Sequence, residues 1–429
     1  MITDSTHQDS SLALWRSARE SADMADAATL ERAAGCLAVA LAEMVVSART
    51  PQHFTAAEAL AGAPGPCTVS SLTGRAALTG AVTANAYLMH ARLTDDSFRV
   101  AAHPGLAVVP VALAAAEHTS GHGAVDGVRL LRAVVGGYEC ACQLAERLLP
   151  AVSRRGWRVT SVIAPLAAAA TTALVLGLPD EVASAALGLA SAAAGGPLGV
   201  VSTNGDGWRL QPALAVQAGV SATVASIAGL RGGADALGGA HGLYALFGGD
   251  DVEQPQPFGQ AAVHRVTFKR YPVAMYGQSI FDAIRALPPI EGSVRRITVR
   301  LAPFAAGYGG NQRAVSTDSI SSVEGITAAA LRTFQPGLAK DFSASQGLVE
   351  VLGDPALPEL TAQMHLEVTD GRLFELTGNG DTSSWGIADF SRHCQERLGD
   401  VGTRLYEATT TLTEEAGVAR LFEVWRAAR

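Results

Sequence analysis

The amino-acid sequence predicts a mainly α protein. It places a large all-helical domain over residues 1–265 together with 396–429, and a smaller α+β domain over 266–395. Three observations predict this. Of the 429 residues, 48% are hydrophobic, 17% charged and only 6% aromatic, so the core is built from Ala, Val, Leu and Gly, whose small side chains let helices approach closely. Apolar residues recur at three- and four-residue spacing through about residue 265. Beyond that point, alternating strand-like stretches enter.

The elements follow in chain order. The opening "MITDSTHQDSSLALWR" carries Asp4 and Asp9 and no Lys or Arg before Arg16, unlike a secretory leader. "LERAAGCLAVALAEMVVSA" (30–48) and "VDGVRLLRAVVGGYECACQLAERLL" (125–149) are predicted helices. "LPDEVASAALGLASAA" starts a helix at Pro179 and two acids, where a missing N–H costs nothing and negative charge suits the dipole. "GAPGPC" and "RGGADALGGAHG" read as loops. "SVRRITVRLAP" alternates as a strand from Val294, "DSISSVEGITAAALRTF" reads as a helix, and "AQMHLEVTDGRLFEL" reads as a hairpin turning at Asp370-Gly371. The closing segment to Arg429 returns to helix and is expected to rejoin the first domain.

Composition also limits partners. With so little charge for the surface of 429 residues, an apolar subunit interface is expected, in a homodimer. A net charge of −8 without a basic, aromatic-interleaved stretch argues against nucleic acid. The uncharged stretches 161–179 and 182–205 are rich in Ala, Gly, Ser and Thr and are interrupted by Pro165 and "GGPLG". Buried helices are therefore expected rather than membrane spans. Five scattered cysteines fit free thiols in a cytoplasmic, reducing compartment.

Several motifs lack the context their chemistry needs. Cys140-X-Cys142 has no second pair at zinc spacing, and "HTSGHG", with His118 and His122, reads as a turn, so no metal site is expected. Phosphate-loop and nucleophile-elbow motifs do not occur, and "GGADALGGAHG" follows a helical pattern rather than a strand, which leaves a dinucleotide reading weak. Acid–base chemistry remains. In "TDDSFRVAAHPG", His103 follows the pair Asp95 and Asp96 and precedes a core-like run. An imidazole there serves either as a satisfied cap or as a proton donor and acceptor near neutral pH. "SRRGWR" (153–158) is either a solvated connector or a carboxylate-binding fork. "FKRYP" (268–272) puts two cations at the predicted junction, either on plain surface or beside a ligand cleft.

Five blocks in order resemble the MmgE/PrpD superfamily, which includes 2-methylcitrate dehydratases, cis-aconitate decarboxylases and iminodisuccinate epimerases. They are "NAYLMHARLTDDSFRVAAHPGLAVVPVALAAAE", "GWRVTSVIAPLAAAATTALVLGL", "WRLQPALAVQAGVSATVASIAGLRGGADALGGAHGLYALFGG", "FKRYPVAMYGQSIFDA" and "GNGDTSSWGIADFSRHC". The resemblance implies that the α+β domain is a lid, that the protein is a dimer, and that the site lies between the domains without an organic cofactor or metal. It implies catalytic roles for His103, Asp95, Asp96 and Lys269, the lysine holding a substrate carboxylate, and a substrate contact for Ser97.

The departures from the family pattern are Leu93 for an acid, Arg158 for a histidine, Trp208 for a lysine, Gln211 for a histidine and Gln278 for a histidine, with Arg209 retained. Arg158, Trp208, Arg209 and Gln278 then join Ser97 as substrate-binding candidates. An aromatic wall in place of a lysine points to a substrate less anionic, more apolar or larger than citrate-like acids. The expected function is a cofactor-independent lyase, a decarboxylase or dehydratase, acting on a small carboxylate but not on 2-methylcitrate itself. An isomerase, epimerase or cyclase in the same pocket and a catalytically inactive ligand-binding homologue stay open.

Overall fold

The computed structural model describes residues 9–119, 125–202, 205–233, 235–249, 258–310, 320–343 and 347–428. Asp4 and His122 lie outside them. The fold is mainly α. Helices α1 (Ser10–Asp23), α2 (Ala27–Ala48), α3 (Pro51–Ala61), α4 (Leu78–His90), α5 (Gly105–Thr119) and α6 (Gly127–Leu148) come first. They are followed by α7 (Ala151–Arg154), α8 (Val159–Leu176), α9 (Asp180–Ala190), α10 (Gly207–Ile227) and α11 (Leu243–Gly248). Caps set several starts: Asp9, Asp26 and Asp126 each accept backbone N–H bonds from the first turn of α1, α2 and α6. A short antiparallel pair, β1 (Pro64–Thr68) and β2 (Arg75–Ala76), is the strand structure among the described residues of this half.

The apolar run expected at 161–179 is α8, which is enclosed by α5, α6, α9 and α10. Both α8 and α10 are long and apolar enough to cross a membrane; 89% of α8 is buried inside the protein, against 44% of α10. The other run, 182–205, does not form one helix: α9 ends at Ala190 and short 3-10 turns follow. The α8–α10 crossing depends on small residues. A Cβ on Gly219 would lie 2.0 Å from the Pro165 carbonyl oxygen, so only glycine permits this approach.

After residue 272 the chain forms a second core. Its parts are α12 (Gln278–Arg285), β3 (Val294–Leu301), α13 (Pro303–Gly310), α14 (Val323–Phe334), α15 (Pro336–Ala339), β4 (Val349–Gly353), β5 (Ala362–Val368) and β6 (Leu373–Gly378). The sheet order is β4-β3-β5-β6, with β3 and β4 parallel and the other pairs antiparallel. Alternation puts Ile297, Val299 and Leu301 of β3 and Met364 and Leu366 of β5 on the buried face, which α12 and α14 cover. Leu93, Val100 and Trp208 reach into this core from the helical part.

The return to the helical core begins earlier than residue 396. Trp385, Phe390 and Cys394 already belong to it, and α16 (Ile387–Leu398) packs on α2, followed by α17 (Asp400–Thr410) and α18 (Gly417–Ala427). Trp385 and Phe390 pack on Phe268 and on one another, and α16 lies against both α2 and α17. The incoming and outgoing connections are held together at one point. The buried guanidinium of Arg32 donates to the carbonyls of Val263, Val266 and Trp385, and Phe268 N donates to Ser383 O. A single arginine in an otherwise apolar helix thus satisfies three carbonyls that would otherwise be buried unpaired.

Candidate active site

The loop between α4 and α5 carries the first half of the site. Leu93 and Arg99 both have positive φ, 55° and 53°, a conformation that costs a non-glycine residue about 1–2 kcal/mol. The loop is held from several sides. Ser97 and Thr267 exchange backbone hydrogen bonds at 2.8 Å, and the Arg99 guanidinium pairs with Glu359 ahead of β5. Thr94 donates to the fully buried Glu43, which also receives His393 Nε2 at 2.7 Å and Arg397 Nε at 3.1 Å. The Ser97–Thr267 pairing brings Lys269 beneath the loop.

Asp95 is the hub. Its Oδ2 lies 2.7 Å from His90 Nδ1, and Lys269 Nζ donates to its Oδ1 at 3.0 Å and to its backbone carbonyl at 2.6 Å. Arg158 Nη2 sits 2.6 Å from His90 Nε2. A guanidinium only donates, so Nε2 is unprotonated and His90 carries its proton on Nδ1, facing Asp95. Burial alone would raise the Asp95 carboxyl, but Lys269, then His103 and His90, outweigh it and hold it well below the carboxylate range.

His103 lies against the same pair. Its Nδ1 is 3.0 Å from Asp96 O, 3.2 Å from Ser97 Oγ, 3.3 Å from Lys269 Nζ and 3.6 Å from Asp95 Oδ2. The nearest of these, the Asp96 carbonyl, accepts only and favours the proton on Nδ1, against the pull of the Lys269 ammonium, which donates only. Burial, then the Lys269 charge, hold His103 well below the usual histidine value, against the pull of Asp95. His103 is therefore a neutral imidazole with Nε2 unpartnered among the described residues.

A cavity of about 50 Å³ opens beside this imidazole. Its lining comes from both parts of the chain: Leu93, Val100, Ala101, His103, Arg158, Val201 and Trp208 from the helical part, and Ala274, Met275, Tyr276, Tyr308, Ile320 and Ser321 from the α+β part. His90, Asp95 and His103 bring one ligand atom each within 4.8 Å of one another. The cation seated among them is the Lys269 ammonium, and both nitrogens of His90 are committed, to Asp95 and to Arg158. That arrangement does not fit a resident divalent metal.

The sequence candidates divide on this geometry. Asp95, His103, Arg158 and Lys269 converge, and Trp208 lines the cavity. Lys269 is fully buried and bound to Asp95 rather than exposed to a substrate carboxylate. Asp96 turns away: its Oδ1 accepts Gly105 N at 3.1 Å at the start of α5, where a Cβ on Gly105 would collide with that carboxylate. Ser97 supports the His103 ring. All four hydrogen bonds of Gln278 are spent on the backbone of Arg270, Tyr271 and Val273, shaping the turn after Lys269. Arg209 donates to Ala91 O and Asp206 and stacks on Trp208, and Gln211 accepts from Ser161. Of the three arginines in "SRRGWR", Arg154 and Arg155 are exposed and only Arg158 is buried. His118 is exposed at the end of α5.

His90 and Tyr308 were not among the sequence candidates. The signal for His90 was present, a histidine five residues before Asp95 at a helix end. Tyr308 and the Glu43–His393–Arg397 cluster carry no local mark, since their partners lie far along the chain. No curated protein matches this chain. Residues 10–255, more than half of the 429, match the MmgE/PrpD N-terminal domain.

Proposed function

This chain belongs to the MmgE/PrpD superfamily, and from that footing we propose that it is a cofactor-independent lyase acting on a small carboxylate by proton transfer at the carbon next to the carboxylate. Lyases and dehydratases are the general activity of the family. The observation that carries the proposal is the neutral His103, its Nδ1 turned to the Asp96 carbonyl and its Nε2 unpartnered beside the cavity that Arg158 also lines.

In this reading a substrate carboxylate rests on the Arg158 guanidinium, which puts the α-carbon within reach of His103. Nε2 takes the α-proton, and the C–H electron pair moves into the carboxylate as an enediolate that Arg158 stabilises. The imidazolium so formed faces Asp95, whose charge offsets Lys269. Collapse of the enediolate expels a β-hydroxyl, and the proton on His103 leaves with it as water. Asp95 and Lys269 act through His103 by holding it neutral and oriented.

The α+β part serves as a lid in this proposal. Support comes from a cavity lined by residues of both parts of the chain and from connections gathered at Arg32. The half-exposed Leu214, Val224 and Ile227 on α10 support a homodimer, and five buried free cysteines support a cytoplasmic setting.

Proton NMR in D2O with a panel of hydroxy and unsaturated carboxylates tests the activity. The wild type should exchange a carbon-bound proton or form product, and His103→Ala should lose about 10²–10⁴-fold of that rate while folding normally. Full turnover by His103→Ala would overturn the assignment.

A further inference from the structure

We propose that the substrate carries a single carboxylate on an otherwise apolar skeleton, with Arg158 as its one counter-charge; this deepens the lyase reading and rests on it. Arg158 is 3% exposed and lies at the N-terminus of α8. Its hydrogen-bond partners are neutral: Nη1 donates to Trp208 O and Nη2 to His90 Nε2. Among the described residues no carboxylate forms an ion pair with it. A buried guanidinium without a counter-ion is costly, and two of its five N–H donors are used. The cavity it lines is where the missing anion belongs.

The same walls limit the substrate to one such anion. Lys269 is locked against Asp95 and is not part of the lining, and Arg209 is engaged with Asp206 and Ala91 O. Apart from His103, Tyr276, Tyr308 and Ser321, the rest of the lining is apolar and includes Leu93, Val100, Val201, Trp208, Met275 and Ile320. The Tyr276 hydroxyl is spent on Ser321 O. A second carboxylate would be desolvated against these side chains with no cation to meet it.

The test is calorimetric binding at fixed ionic strength, comparing crotonate and 3-hydroxybutyrate with fumarate, malate and cis-aconitate. The monocarboxylates should bind at least about tenfold more tightly than the dicarboxylates, and Arg158→Gln should lose that binding by a similar factor. Should Arg158→Gln fail to fold, Leu93→Arg gives a second readout, because a cation on the apolar wall should shift preference toward the dicarboxylates. Equal or tighter binding of fumarate, malate or cis-aconitate by the wild type overturns the proposal. So does monocarboxylate binding unchanged in a folded Arg158→Gln, or an absence of monocarboxylate binding at millimolar concentration. Turnover of a dicarboxylate would overturn the substrate class and leave the lyase standing. Monocarboxylates that bind through Arg158 yet never exchange deuterium would support the ligand class and overturn the lyase.

Discussion

Asp96→Asn should remove a pH dependence of stability that is built into the loop beside the site. Asp96 is 1% exposed, its Oδ1 caps α5 through Gly105 N, and its Oδ2 has no hydrogen-bond partner, nor does the buried Tyr138 hydroxyl. Burial, reinforced by the charge of Asp95, outweighs the opposing pull of the nearby Tyr138 hydroxyl and Lys269 and pushes the carboxyl from 3.8 up to about 7. The folded protein therefore keeps a proton that the unfolded chain releases. The stabilisation this provides is fully present below 3.8 and is lost as pH rises through about 7. Roughly three pH units at about 1.4 kcal/mol each give a swing of about 4 kcal/mol. For a chain of 429 residues, with an unfolding entropy near 0.9 kcal/mol per degree, that is about 4–5 °C in Tm. Asparagine keeps the acceptor for Gly105 N and cannot ionise. Scanning calorimetry of both proteins from about pH 4 to about pH 8 should show the wild type losing about 4–5 °C more than the variant. Parallel curves would show that Asp96 is ionised in the fold and would refute the reasoning.

Two further outcomes follow from the Asp95 hub. Lys269→Met strands a buried carboxylate against two neutral histidines and should cost about 3–5 kcal/mol in chemical unfolding, whereas Asp95→Asn/Lys269→Met should recover most of it; equal losses in the single and double variants would mean the pair is not coupled. Because burial and Lys269 hold His103 below its usual 6.5, the rate of proton exchange should stay level from neutral pH down through 6.5 and fall only further into acid. A limb at or above 6.5 in the rate profile would contradict the neutral imidazole described here.

Much of the secondary structure was legible because its signals are local. The helix expected at 30–48 runs Ala27–Ala48, that at 125–149 runs Gly127–Leu148, and the hairpin turns at Asp370-Gly371 between β5 and β6. The failures have physical reasons too. The stretch 182–205 lacks charge, and it is interrupted where the sequence has GGPLG: α9 ends at Ala190 and only short 3-10 turns follow. The end of the α+β segment was placed too late because the burial of Trp385 and Phe390 against α2 has no periodic signature.

The site divides along the same line. From the sequence alone came the chemical inventory: a histidine after paired acids, a lysine at a junction, and an arginine and a tryptophan where relatives carry other groups. Their uses depended on which chain segments meet. Asp95 and Asp96 are neighbours with opposite fates, because one faces Lys269 and the other the start of α5. Gln278 and Ser97 are polar residues consumed by backbone and ring support, while His90, which was not among the sequence candidates, joins Asp95 to Arg158. Periodicity is set by contacts within a few residues, so a sequence displays it. Protonation, pairing and desolvation are set by groups far apart in sequence, 174 residues for Lys269 and Asp95 and 350 for His393 and Glu43, and only the folded chain brings those together.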